Sequence, residues 1–179
     1  MNSNPTVLQI SRDAVSHNLQ FFRSRLEKQT KLLAVIKASG YGSDAVAMGK
    51  FLESQKVDYF AVAYADEGIA LRNAGIQTPI LVLHPQISNL SLLIPHNLEP
   101  NLYSRKILET FIGVARESGV TGYPIHLKFN TGLNRLGFKA VDLPFLYSSL
   151  KDEGSVQIRS IFSHLMASED EKEKAFRSH

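Results

Sequence analysis

Short apolar runs alternate along this chain with segments whose apolar residues recur every three or four positions. Runs at 6–10, 31–37, 59–63, 79–83, 98–102, 123–129 and 157–163 read as strands. Between them lie helical patterns. Ser11 is placed to cap a helix bearing Val15, Leu19, Phe22 and Leu26 on one side. Residues 44–54 form a second helix, and 66–74 a third that stops at Gly75. A brief helix is expected at 88–94. Ser104 caps an amphipathic helix carrying Ile107, Leu108, Phe111, Ile112 and Ala115, ended by Gly119. A further helix covers 141–150, and Ser168-Glu169-Asp170-Glu171 has capping-box spacing at the head of a charged one.

Strands alternating with helices predict an α/β fold with parallel strands and helical crossovers. No Gly-x-Gly-x-x-Gly follows the first strand and no Walker loop is present, which disfavours nucleotide-binding sheets. Runs such as Pro79-Ile80-Leu81-Val82-Leu83 suit strands buried on both faces, as in a (β/α)8 TIM-type barrel. Leaving out the N-terminal run, about six of the eight βα units that such a barrel needs are counted. Residues 1–179 are therefore expected to be the N-terminal part of a longer barrel polypeptide, its remaining strands lying elsewhere.

Composition narrows the classes further. The chain has 179 residues, 44% hydrophobic and 21% charged, with a net charge of +3. The basic residues are scattered without interleaved aromatics, so nucleic acid is not an expected partner. The absence of cysteine excludes disulfides, thiolate metal sites and a cysteine nucleophile. No metal is expected. The N-terminus lacks the basic and apolar regions of a signal peptide, and no apolar stretch is long enough to span a bilayer. A cytoplasmic protein with no membrane partner is expected.

In a (β/α) barrel the chemistry gathers at the carboxyl ends of strands. The apolar run Leu32–Ile36 ends abruptly in Lys37, followed by a small-residue turn and Tyr41 between two glycines. An amine at that place, held partly away from water, can attack a carbonyl, the first step of Schiff-base chemistry. The next strand ends in Tyr64, Asp66 and Glu67, and the third in Leu83-His84-Pro85. In Ile125-His126-Leu127-Lys128-Phe129-Asn130, alternation puts His126, Lys128 and Asn130 on one face, directed inward. Arg135 follows within Asn134-Arg135-Leu136-Gly137-Phe138, and the sixth barrel strand ends Ser163-His164. Each of these also has a structural reading. Lys128 could pair with an interior acid, Arg135 could brace its loop, His84 could be a turn residue, and His126 and His164 could be hydrogen-bonded interior groups.

These segments resemble a known family. Val35-Ile36-Lys37-Ala38-Ser39-Gly40-Tyr41-Gly42 resembles the pyridoxal-phosphate lysine motif of bacterial alanine racemases, Val-Val-Lys-Ala-Asn-Ala-Tyr-Gly. Lys128 to Phe138 resembles that family's Lys-x-Asp-Thr-Gly-Met-x-Arg-Leu-Gly, and Ser163–Asp170 its Thr-His-Phe-Ala-x-Ala-Asp. The match runs in register over nearly the whole chain. Two departures stand out: Ser39-Gly40 replaces Asn-Ala, and Asn130 replaces Asp, which alters the charge balance around Lys128.

The resemblance implies a pyridoxal 5'-phosphate enzyme that racemises L-alanine to D-alanine for peptidoglycan. It implies that Lys37 carries the cofactor and is one of two bases, that Tyr41 binds its phosphate, and that Leu83 lines the ring pocket. Arg135 would contact the phenolic oxygen. Lys128 would be the lysine that is carbamylated in many members, and His164 would orient an arginine facing the pyridine nitrogen. The second base, a tyrosine, belongs to a C-terminal β domain acting across a homodimer. This stretch alone is therefore expected to be inactive. A non-catalytic pyridoxal-phosphate barrel and a related amino-acid decarboxylase are the alternatives, and Asn134–Phe138 with Ser163-His164 fits the racemase better.

Overall fold

The structure, a computed structural model, describes residues 6–166. In the sheet the six strands are ordered β1-β2-β3-β4-β5-β6, the order of the chain. Sequential order with helical crossovers is the topology of the (β/α) barrel, since a doubly wound sheet permutes its strands. The chain divides into two compact units, Met1–Ile80 and Leu81–His179.

In the first unit, β1 (Leu33–Val35) pairs in parallel with β2 (Tyr59–Val62), setting Ala34 against Phe60. Phe60 donates from its backbone N–H to the Pro79 carbonyl at 2.9 Å, continuing the ladder beside β2. Helix α1 (Arg12–Ser24) starts where expected, with Ser11 Oγ accepting the Ala14 N–H at 3.2 Å. Asp44 caps α3 (Ala45–Ser54) by accepting the N–H groups of Val46 and Ala47. Helix α4 (Ala65–Asn73) ends before Gly75, whose φ of 90° turns the chain out of the helix. Ile36, Phe60, Val62, Leu71 and Ile76 form the core of this unit. Glu53, at the end of α3, accepts the N–H groups of Gln77 and Thr78 and the Thr78 hydroxyl. Burial opposes its charge, but these bonds and Arg72 hold its carboxyl below the usual range.

The second unit holds β4 (Leu98–Leu102), β5 (Tyr123–Lys128) and β6 (Val156–Phe162), paired in parallel in that order, and the unit boundary falls within β3 (Ile80–Val82). Ser104 caps α5 (Arg105–Glu117). All five apolar positions named for that helix are buried, the four large ones contributing about 1.5–3 kcal/mol each. Two short elements differ from expectation: residues 87–92 and 140–142 are 3-10 turns, the second leading into α6 (Leu143–Leu150). Arg116 of α5 pairs with Glu153. The hydrogen bonds from Ser155 and this guanidinium keep the Glu153 carboxyl low, against a desolvation that works the other way.

Three sequence expectations need correction or fall outside the description. Residues 6–10 form no strand; Val7 and Leu8 are exposed, and a β-rich run without a partner strand does not make a ladder. Strands buried on both faces are found at β2 and β3 but not at β1 and β6, the two ends of the strand order. The charged helix expected from Ser168 lies outside the described residues. No helix among the described residues is long and apolar enough to cross a membrane.

Candidate active site

In the first unit, Ile36, the residue after β1, is buried, and Lys37 next to it is half-buried. The backbone then turns left-handed. Ala38 (φ 52°, ψ 52°), Ser39 (54°, 41°) and Gly40 (66°, 36°) are followed by Tyr41 and Gly42 at φ 55° and 85°. The turn closes with helix-like bonds, Gly40 N–H to Ile36 O and Gly42 N–H to Ala38 O, each 3.1 Å. Within this element, α2 (Lys37–Tyr41), the residues from Ala38 on thus form one turn of left-handed helix. Such backbone costs about 1–2 kcal/mol for each residue that carries a Cβ, here Ala38, Ser39 and Tyr41. Gly40 relieves the tightest position, where a Cβ would stand 2.9 Å from Ser43 Oγ and 3.1 Å from Ala45 N.

Glu67, in the first turn of α4, reaches this element. Its Oε1 accepts the Ala38 N–H at 2.6 Å, while Oε2 accepts the Ala63 N–H at 2.6 Å and the Tyr64 N–H at 3.3 Å. Tyr41 is 67% exposed.

In the second unit, the Leu83 carbonyl just past β3 accepts from Nδ2 of the fully buried Asn101 at 2.7 Å. His84 stacks on Tyr103, ring centroids 5.5 Å apart and 15° from parallel, rather than merely marking a turn. The Tyr103 hydroxyl donates to the Pro85 carbonyl, and burial raises its pKa.

Across β4, β5 and β6 runs a chain of polar side chains. His126 is 3% exposed; one ring nitrogen meets Glu99 Oε2 at 2.7 Å and the other Ser160 Oγ at 2.6 Å. His126 is therefore the interior hydrogen-bonding group expected from alternation. Lys128, two residues on, is 8% exposed.

The loop beyond Lys128 carries Arg135, which is exposed. Phe138 N–H donates to Lys128 O at 2.8 Å and Asn130 N–H to Phe138 O at 2.9 Å, closing the loop at its base. Inside it, Asn130 Oδ1 accepts the N–H groups of Gly132 and Asn134 while Asn130 Nδ2 donates to Asn134 Oδ1. The close base demands glycine at 137. Its φ is +134°, and a Cβ there would lie 2.6 Å from Asn130 N and Phe129 C. Thr131 Oγ1 and Ser163 Oγ meet at 2.6 Å, tying this loop to the end of β6 next to His164, which is exposed.

Lys37 and Tyr41 thus follow the carboxyl end of β1, and Leu83, Arg135 and His164 follow those of β3, β5 and β6, with Lys128 the last residue of β5. Two braces had not been assigned from sequence, Glu67 and Asn130. Glu67 was visible as an acid at a strand end, but its backbone partners lie far away in the chain. Among the described residues no cluster of three or more His, Asp or Glu is placed to hold a metal ion.

Comparison with known proteins agrees with this architecture. The family model "Alanine racemase, N-terminal domain" matches residues 10–178. An alanine racemase of Geobacter sp. is 36% identical over 177 residues, covering 96% of this chain and 45% of the relative. Among solved structures, an alanine racemase of Clostridium difficile 630 superposes with a TM-score of 0.86 at 29% identity, over 92% of this chain and 44% of that one. The same organism's enzyme in complex with cycloserine gives a TM-score of 0.80 at 31% identity, over 86% and 43% of the two chains. The chain spans less than half the length of these proteins.

Proposed function

Since this chain belongs to the alanine racemase family, we propose that it is the N-terminal barrel portion of a pyridoxal 5'-phosphate-dependent racemase interconverting L- and D-alanine. The observation that carries this reading is Lys37: a half-buried lysine two residues past the end of the first strand, followed by a strained turn and an exposed tyrosine. The chemistry of the donor set suits the cofactor. The amine matches an aldehyde, the Tyr41 hydroxyl a phosphate oxygen, and the Arg135 guanidinium a phenolate.

When bound, pyridoxal phosphate supplies the electron sink for the charge left on Cα when its proton departs. The remaining work falls to the protein. Lys37 Nζ would hold the cofactor at its aldehyde carbon and would take or return the Cα proton on its own face. Tyr41 anchors phosphate and Leu83 shields the ring from water. Arg135 steadies the phenolate oxygen from a loop closed at its base, and Lys128, behind that loop, orients it. His164 orients a further arginine toward the pyridine nitrogen. Inversion needs a second base on the opposite face, and we assign it to a tyrosine of a C-terminal β domain contributed across a homodimer. The enzyme is cytoplasmic and supplies D-alanine to the cell wall. The stretch 1–179 by itself is inactive.

The test is spectroscopic. The full-length protein should develop a visible absorption band with pyridoxal phosphate, and Lys37→Ala should abolish both the band and alanine racemisation. A wild-type protein that forms no band overturns the reading, as does alanine turnover by residues 1–179 alone for the inactivity of that stretch.

A further inference from the structure

The turn after Lys37 holds a conformation its sequence disfavours. Ala38, Ser39 and Tyr41 all have positive φ although each bears a Cβ. A single helical turn has little cooperativity of its own, so its internal backbone bonds are a weak reason to stay left-handed. Backbone of this kind persists where its surroundings over-determine it. Around Ala38, the first left-handed residue, the surrounding group is Glu67.

The two carboxylate oxygens of Glu67 divide their work. Oε1 takes the N–H of Ala38, and Oε2 takes the N–H groups of Ala63 and Tyr64, which follow β2. A carboxylate offers acceptors on both sides and no donor, so it satisfies both places at once. Glutamine would turn an N–H toward one of them. Aspartate, shorter by a methylene, would not span the gap. The Ala38 N–H belongs to the peptide that leaves Lys37. If it swung free, Ala38 would relax toward negative φ, and the Cα–Cβ direction of Lys37 would rotate with that peptide. A misplacement of an ångström at a reacting group is enough to slow it strongly.

We propose that Glu67 is a positioning residue for Lys37: by clamping the Ala38 N–H to the end of β2 it holds the turn left-handed and fixes the direction in which the amine is presented. The functional consequence rests on the reading of Lys37 as the cofactor-bearing residue. The clamp itself is a property of the free protein.

Two measurements separate these levels. In the cofactor-free full-length protein, hydrogen exchange at the Ala38 amide should be slow, and Glu67→Ala should accelerate it by about tenfold or more, the effect of losing one charge-assisted hydrogen bond. With pyridoxal phosphate added, borohydride trapping and peptide mapping report the rate at which Lys37 is modified. Glu67→Ala should slow that modification by about tenfold or more, and Glu67→Gln by less, since it keeps one acceptor. Adding Ala38→Gly to Glu67→Ala should recover much of the rate, because glycine adopts positive φ without strain. If Glu67→Ala folds too poorly to measure, Glu67→Gln with and without Ala38→Gly carries the same test. Unchanged exchange at Ala38, or a slowed modification that Ala38→Gly fails to rescue, overturns the proposal. Slow, Glu67-dependent exchange with no modification of Lys37 leaves the clamp standing and overturns its role in the chemistry along with the reading of Lys37.

Discussion

Two polar loops carry the candidate chemistry, and they are stabilised in opposite ways. The turn after Lys37 is short and built largely from residues that disfavour its conformation, with a carboxylate 29 positions away in sequence pinning its first N–H. The loop bearing Arg135 is longer and braces itself. Its strained positions include glycines 132 and 137, its base is closed by backbone bonds, and Asn130 fills its interior. The first loop stores strain at three Cβ-bearing residues next to an amine, whereas the second gives two of its positive-φ positions to glycine and the third to Asn134, a residue type that tolerates left-handed backbone. A residue that must form and release a bond gains from a preset direction, whereas a cation that only has to face an oxygen gains from a stiff frame.

This contrast can be broken at several points. Gly137→Ala should have the largest effect, destabilising the protein by about 3 kcal/mol or more, because the new Cβ meets backbone that cannot yield. Urea denaturation measures it, and a loss under about 0.5 kcal/mol would mean the loop base is pliable. Asn130→Ala should cost about 1–3 kcal/mol by leaving the Gly132 and Asn134 N–H groups without their acceptor. Asn130→Asp keeps that acceptor and gives up only the bond to Asn134 Oδ1, so its loss in the same experiment should be smaller. The smallest change has the opposite sign. Ser39→Gly should stabilise the protein by about 0.5–1 kcal/mol, the relief of left-handed strain less the entropy glycine brings to the unfolded chain. A lowered melting temperature there would show that the lysine turn is not under strain.

Much of this was legible in the sequence, for identifiable reasons. Ser11 and Ser104 announced their helices because capping is a local interaction. The inward direction of His126 followed from strand alternation alone, and the family emerged from the lysine and arginine segments. What escaped was non-local or conformational. Residues 6–10 are rich in strand-favouring residues, but a ladder needs a neighbour that no local run supplies. Gly40 and Gly42 hinted at a turn, yet nothing in Ala38-Ser39 signals left-handed backbone, because it is imposed from Glu67. Glu67 itself looked like one more acid at the head of a helix.

The Glu99–His126–Ser160 chain has a consequence for how β4, β5 and β6 find one another. Between Ile125 and His126 the β5–β6 pairing skips a residue, so that Ile125 faces Ile158 while His126 faces Ser160. A slip of β6 by one position would send the Ser160 hydroxyl to the opposite side of the sheet and strip a buried imidazole of its partner. The three side chains therefore act as a peg through three planks. Apolar contacts would tolerate several alignments of these strands, and the peg admits one.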